Sequence, residues 1–338
     1  LSYWLAQGQA EAPRVGSGDF APAGRNDYGS SLFEETGMAL LRGSVASQDG
    51  LGAALIYKPQ GTFAGHQHAD NLSLYLSALG HQWLAGSGRF EYRPGMTDDR
   101  HGTFARHTVA KNTLVVDGVS QIPQTRSAGL WNTDDVLTSR GRLELYLPGP
   151  TLQLVQATSS EVYPGVLLRR TVLVTDGYVL DVYDAVSSEP RQYDWIIHVN
   201  GQLAGYAEGF EPVDRVLGDT DGSQFVTIQY AYADVSGPLV TRWTHGNRHL
   251  DHWFIPADAP VDAMLGRSLW TAQSGQRSVF VARASDKAAR FVSLFAPTRS
   301  EAKVKEVTWQ DSDSRGLRIV HAAGVDSVTL PPVGEAGA

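Results

Sequence analysis

From position 32 onward the chain alternates short apolar runs with Gly, Pro, Asp and Ser. Runs rich in Val, Leu, Ile, Tyr and Thr occupy residues 52–58, 72–79, 112–118, 151–158, 166–186, 193–199, 224–232, 278–285 and 290–297. β-Branched and aromatic residues bounded by turn formers, recurring about every ten residues, predict strands. Almost no amphipathic helical stretch lies between them, so the pattern predicts stacked antiparallel sheets rather than alternating βαβ units. The stretch TDGY at 175–178 splits two alternating runs with an Asp-Gly pair, a hairpin signal. Residues 1–12 suit a short helix, and 12–31, rich in Gly, Pro, Ser and Asn, suit a linker. The expected division is a lead over 1–31, linker or remnant of a preceding helical domain, and a mainly β domain over 32–338.

Within this pattern one stretch stands out. GHQHADNLSLYL, residues 65–76, places His66, His68 and Asp70 at alternate positions before an apolar run, although the chain has only ten histidines. On an extended backbone alternate side chains share a face, so the three form one polar row. The row fits a catalytic imidazole, a metal site or a hydrogen-bonded network. His245, His249 and His252 in THGNRHLDHW are irregularly spaced and read as a polar loop, with metal binding as the alternative, whereas His198 in DWIIHVN reads as a core residue.

Charge narrows the partners. A formal net charge of −8 argues against nucleic acid, which needs a basic surface. The segment from Arg89 to Lys111 is locally basic, with Arg93, Arg100 and Arg106 set against Glu91, Asp98 and Asp99, and His101 and His107 added. It reads as a solvated loop or as a field for an anionic ligand. The absence of cysteine excludes disulfides and thiolate metal sites without fixing a compartment. No apolar run of about 18 residues predicts a membrane span, and the first residues lack the basic and apolar regions of an export signal. GxSxG, Walker, HExxH and GxGxxG motifs in their usual settings are missing.

The succession GHQHADNLSLYL, GHQWLAGSGRFEY, ARHTVAKNTLVVDGVSQ, LLRRTVLVTDGYVLDVYDAV and QYDWIIHV resembles the β-sheet domain of the heparinase II/III-like polysaccharide lyases. LFEETGMALLRG at 32–43 is similar to the strand that begins that domain. The resemblance implies a large antiparallel multi-layer β-sandwich, with the family's N-terminal (α/α) toroid absent from this chain and the substrate cleft between the two. It also implies β-elimination at a uronic acid. The C5 proton is weakly acidic, so the carboxylate's developing charge must be stabilised while an acid and a base move protons.

Carried over by position, the resemblance makes His66 a catalytic residue in the cleft, with Tyr92 as a phenol entering it. Packing of Tyr92 under the sheet is the competing reading. Arg89, Arg93, Arg106 and Asn71 are candidate substrate contacts, and Asn71 and Asn112 also fit turn-closing roles. His68 falls where the family often ligates zinc, but the partner positions hold Gly86 and Lys111. One imidazole cannot hold zinc, and an ammonium repels it. The expectation is therefore no metal and no cofactor, with His68, Asp70, Lys111 and Asn112 in a structural polar network. A relocated site using His68 with His101 or His107 is the alternative.

The resulting expectation is a polysaccharide lyase acting on an acidic glycan of alginate or glycosaminoglycan type, this chain being its β-sheet portion. Its partners would be the acidic polysaccharide and the toroid of the same protein, and its location periplasmic or secreted. The alternative is a non-catalytic carbohydrate-binding or scaffold domain.

Overall fold

The computed structural model describes residues 29–43, 50–59, 68–88, 90, 100–121, 139–257, 259–270, 275–311 and 313–333. Among them, the first strands are β1 (Ser31–Phe33), β2 (Met38–Arg42), β3 (Gly52–Ile56), β4 (Ser73–Ala78), β5 (His81–Leu84) and β6 (Leu114–Val116). There follow β7 (Arg142–Pro148), β8 (Gln153–Ser159), β9 (Val166–Val174), β10 (Val179–Val199), β11 (Gln202–Tyr206), β12 (Glu211–Val216) and β13 (Val226–Val235). The last are β14 (Leu239–His245), β15 (Arg248–Pro256), β16 (Val261–Trp270), β17 (Gly275–Thr298), β18 (Val304–Trp309), β19 (Gly316–His321) and β20 (Gly324–Thr329). Helical structure among the described residues is limited to single turns at His101–Ala105, Thr108–Ala110 and Ser223–Phe225. The paired strands run antiparallel throughout, as the alternating apolar runs predict.

The spine of the fold is the pairing of β10 with β17, from Val179↔Phe295 to Val199↔Ser278. The sequence pattern predicts breaks within both strands, because the polar stretch 187–192 and the charged pair Asp286 and Lys287 interrupt the apolar runs. Instead each chain stays extended, and the register slips between Val186 and Arg191. The polar stretch is the exposed crossing point from one layer to the next. Before it, β10 pairs with β9, which leads through β8 to β7; beyond it, β10 pairs with β6 and β5. On β17, the first half pairs with β16 and the second with β15, which continues to β14 and β11.

Three apolar cores separate the layers. Alternate residues of β10 point to opposite faces, so Tyr183, Trp195 and Ile197 enter the main core with Leu41, Leu55 and Leu74, which couples the β2–β4 layer to the central one. Leu180 and Val182 face the other way, against Val304, Val307 and Ile319 of the small β18–β20 sheet. Ile196, with Val279 and Val281, covers Phe104, Val109 and Val115, and so anchors the segment that carries Lys111. The predicted hairpin forms, closed by the Thr175 N–H to the Tyr178 carbonyl at 3.0 Å.

The expected polar loop at 244–253 is instead a hairpin of β14 and β15 turning at Gly246, whose φ is +59°. His252 is buried in it, stacked at 4.9 Å on Phe295 and bonded through Nε2 to Ser293 Oγ at 2.9 Å. Turn and strand residues share one polar-looking sequence, which hides the period of two.

Candidate functional site

Three short segments meet beside the end of β10: residues 68–72 before β4, 85–87 after β5, and 108–112 before β6. Main-chain bonds join them. Ala69 N donates to the Arg106 carbonyl (2.9 Å), Ser87 N to the Ala110 carbonyl (3.2 Å) and Leu74 N to the Asn112 carbonyl (3.0 Å). Two buried guanidiniums reinforce the joins. Arg277 donates through Nη1 to the Ala85 carbonyl (2.6 Å) and through Nη2 to the Ala110 carbonyl (3.2 Å). Arg170 donates through Nη1 to the carbonyls of Leu72 (2.6 Å) and Asn112 (2.5 Å), while Nε and Nη2 grip Asp181. The Asn112 amide donates to the Leu74 carbonyl at 2.9 Å and accepts from His198 N at 2.7 Å, tying β4 to β10. The carbonyls of Leu72, Ala85, Ala110 and Asn112 thus each receive a guanidinium donor, and none of them is left unpaired in the interior.

Within this frame Lys111 Nζ lies 2.5 Å from His68 Nδ1. Asp70 forms its ion pair with Lys58, whose Nζ also donates to the His68 carbonyl at 2.6 Å. The network expected of His68, Asp70 and Lys111 thus takes in a further residue, Lys58 at the exit of β3, which pairs with the carboxylate. Burial pushes the Lys111 amine down to about 7; the Asp70 carboxylate counters this, while Arg277 and Lys58 add to it. His68 falls to about 3, first through burial and then through Lys111. Burial alone would raise Asp70, but Lys58 and Lys111 outweigh it and hold the carboxyl below its ordinary value.

The three positions that the resemblance associates with zinc converge here. A Cβ built on Gly86 would lie 3.8 Å from Lys111 Nζ, and that Nζ already touches His68. The donor set does not fit zinc, since the lysine fills the place between the other two positions and no carboxylate projects from position 86. Among the described residues no three His, Cys, Asp or Glu side chains are grouped to hold a metal. His107, an alternative ligand at the sequence level, has Nδ1 engaged by Ser120 Oγ at 2.8 Å, and the His101 ring packs edge-on to His68 at 5.6 Å.

The family profile for heparinase II/III-like proteins, C-terminal, matches residues 27–310. The chain belongs to this family. An alginate lyase of Stenotrophomonas maltophilia is 28% identical over 232 residues, 64% of this chain and 30% of that protein. An exo-oligoalginate lyase of Saccharophagus degradans is 22% identical over 299 residues, 82% of this chain and 40% of that protein. The heparan sulfate lyase HepC of Pedobacter heparinus superimposes with a TM-score of 0.65 at 15% identity, over 92% of this chain and 44% of its own. The chain therefore spans less than half the length of these relatives, and the likeness to HepC shows the fold.

The other expected residues divide into two groups. His66, Arg89, Tyr92 and Arg93 lie outside the described residues. Asn71, expected as a substrate contact, is buried, with Nδ2 donating to the Ser139 carbonyl (3.0 Å) and Oδ1 accepting from Leu72 N (3.0 Å). That bond helps hold Leu72 at φ +56°, a left-handed conformation that needs support in a non-glycine residue. Arg106 sits half-buried beside the turn that carries His101. Sequence reasoning misses Lys58, Arg170 and Arg277. The Arg170–Asp181 pair is signalled by LLRRTVLV, which sets two arginines in an otherwise apolar strand.

Proposed function

We propose that this chain is the β-sheet portion of a polysaccharide lyase that cleaves an acidic, uronate-containing glycan by β-elimination. The observation that carries the reading is the cluster of half-buried Lys58 with buried Lys111 and Arg277, which has one carboxylate among the described residues, Asp70. Basic groups in excess of acid favour a carboxylate-bearing sugar nearby, and they act more strongly where water is excluded. Lyase relatives that act on alginate, and the chain's membership of the family, support the same class.

In this reading His66 and Tyr92 move the protons at C5 and O4, and Arg89, Arg93 and Arg106 draw the uronate carboxylates. His68, Lys111, Asp70 and Lys58 hold the segment that begins at His68, and His66 stands two residues upstream in the sequence. A helical toroid of the same protein would close the cleft. Polymeric substrate places the enzyme in the periplasm or outside the cell, and among the described residues no helix is long and apolar enough to cross a membrane.

The test uses the full-length protein that contains this chain, incubated with alginate, heparan sulfate and hyaluronan while the ultraviolet absorbance of the unsaturated product is followed. Product is expected from at least one of them, and His66→Ala should lower kcat more than it raises KM, as for a group acting mainly in the transition state. No product from any uronate polymer would leave only a carbohydrate-binding role.

A further inference from the structure

A second place on the surface has the make-up of a sugar site. On the face of β14 and β15 turned away from the main core, cross-strand pairing sets Arg242 opposite Asp251 and Val240 opposite Trp253. The Arg242 guanidinium is held as a fork, with Nε 2.5 Å and Nη2 2.8 Å from the two Asp251 oxygens. Its Nη1 makes no hydrogen bond with any described residue. On the neighbouring strand β11, Gly205 stands opposite Arg242, and a Cβ there would meet nothing within 4 Å. Next to it Tyr206 leaves 43% of its surface exposed, and its ring is braced at 5.2 Å by Tyr230 and at 5.6 Å by Phe210. Gly205, Tyr206, Arg242, Asp251, Trp253 and Ala302 line an open hollow of about 320 Å³.

The geometry points to a second saccharide-binding site here, taking one acidic pyranose unit of a longer glycan. Sugar rings present apolar C–H faces, which pack on exposed aromatic rings such as Tyr206 and on the half-buried Trp253. The remaining Nη1 of a guanidinium already locked by Asp251 offers a directed donor to a carboxylate or hydroxyl at little further ordering cost. The assignment of the sugar as acidic rests on the lyase reading above.

The hollow is separate from the first site. Trp253 and Asp251 pair with Leu294 and Ala296 near the end of β17, whereas Arg277, which ties the loops of the first site, stands near its beginning. A site so placed captures the polymer beyond the cleft and raises its effective concentration there.

The experiment compares full-length wild type with Tyr206→Ala, an exposed position, and Arg242→Lys, which keeps the charge toward Asp251 while removing the guanidinium fork. Both should raise KM on polymeric alginate about three- to tenfold, the loss of one aromatic or charge-assisted contact. Turnover of an alginate trisaccharide should stay within about twofold of wild type, as should the thermal midpoint of Tyr206→Ala. In native gels, immobilised alginate should retard the wild type more than either variant, and dextran should retard none of them. Unchanged polymer KM and unchanged retardation in both variants would overturn the site, and equal retardation by dextran would overturn its acidic ligand. If no uronate polymer yields product but retardation by alginate still depends on Tyr206, the elimination reading fails and this site stands.

Discussion

Nζ of Lys111 and Nδ1 of His68 meet at 2.5 Å, while the neighbouring carboxylate, Asp70, is ion-paired to Lys58. A lysine ammonium has only donors and a protonated imidazole has only donors, so the contact requires a lone pair on one of the two nitrogens. The pair cannot be doubly protonated and remain bonded. Burial and the fixed charge of Arg277 act in the same direction on the lysine.

The first expectation concerns stability against pH. The folded protein holds Lys111 to about 7, against an ordinary value of 10.5. Between those values the unfolded chain binds more protons, so this group's contribution is fully present above pH 10.5 and is lost as pH falls towards 7. Wild-type stability measured against Lys111→Met should rise with pH by up to about 1.4 kcal/mol per unit across that window. Denaturant midpoints at pH 7, 8 and 9 check it, and parallel curves for the two proteins would show that Lys111 titrates normally. Lys111→Ala, which also empties space, should by the same linkage cost more stability at pH 9 than at pH 7.

Arg277 has no carboxylate partner among the described residues, and its donors go to the carbonyls of Ala85 and Ala110. Arg277→Met leaves both carbonyls buried without this donor, at about 1–3 kcal/mol each. The amide of Ser87, bonded to the same Ala110 carbonyl, should then exchange hydrogen at least about tenfold faster, and Arg277→Lys should restore part of the protection. Unaltered exchange at Ser87 in Arg277→Met would mean that the loops hold their places without the clamp.

The Arg170–Asp181 pair is buried completely on both sides. Removing Arg170 alone, as Arg170→Met, strands the carboxylate and should cost about 3–5 kcal/mol. Adding Asp181→Asn should return only part of that loss, because the carbonyls of Leu72 and Asn112 still lack their donor. Urea denaturation of the two single variants and the double variant measures this, and full recovery in the double would show the loop bonds to contribute nothing.

A metal test follows from Gly86 and Lys111. Chelator should leave the thermal midpoint of the wild type unchanged. Lys111→His combined with Gly86→Asp would set two imidazoles and a carboxylate around one point, provided that the Tyr75 hydroxyl, 3.1 Å from a Cβ at position 86, gives way. That double variant should gain zinc-dependent thermal stability, whereas Lys111→His alone should gain far less. Equal zinc response in wild type and double variant would show that these positions do not form the site.

The β class is legible because alternation at period two reports one buried face at a time, and the hairpin at Thr175 to Tyr178 is legible because its turn residues are local. What the pattern cannot reveal is continuity. The middle of β10, 187–192, is polar because the strand there crosses between layers in solvent, and the same composition in another chain would end a strand. Nor can local pattern show who pairs with a buried charge. Lys58 has the sequence neighbourhood of a surface lysine, and Arg277 that of a polar strand end. Both become interior only when β3 and β17 are folded against loops far away in sequence. His68 is marked by its place in the polar row, whereas its link to Gly86 and Lys111 comes from family resemblance alone, and the structure adds that the three positions touch.

The unbroken run of β10 against β17 has a consequence for how this domain can be shared among proteins. Each of the two strands contributes one half to each layer, so the boundary between layers is not a boundary along the chain. Cutting at the exposed crossing, 187–190, would leave both layers with raw, unpaired edges, which invite association with other chains. The domain can be grafted, permuted or inherited only entire, and insertions that alter its specificity must fall in the turns between strands.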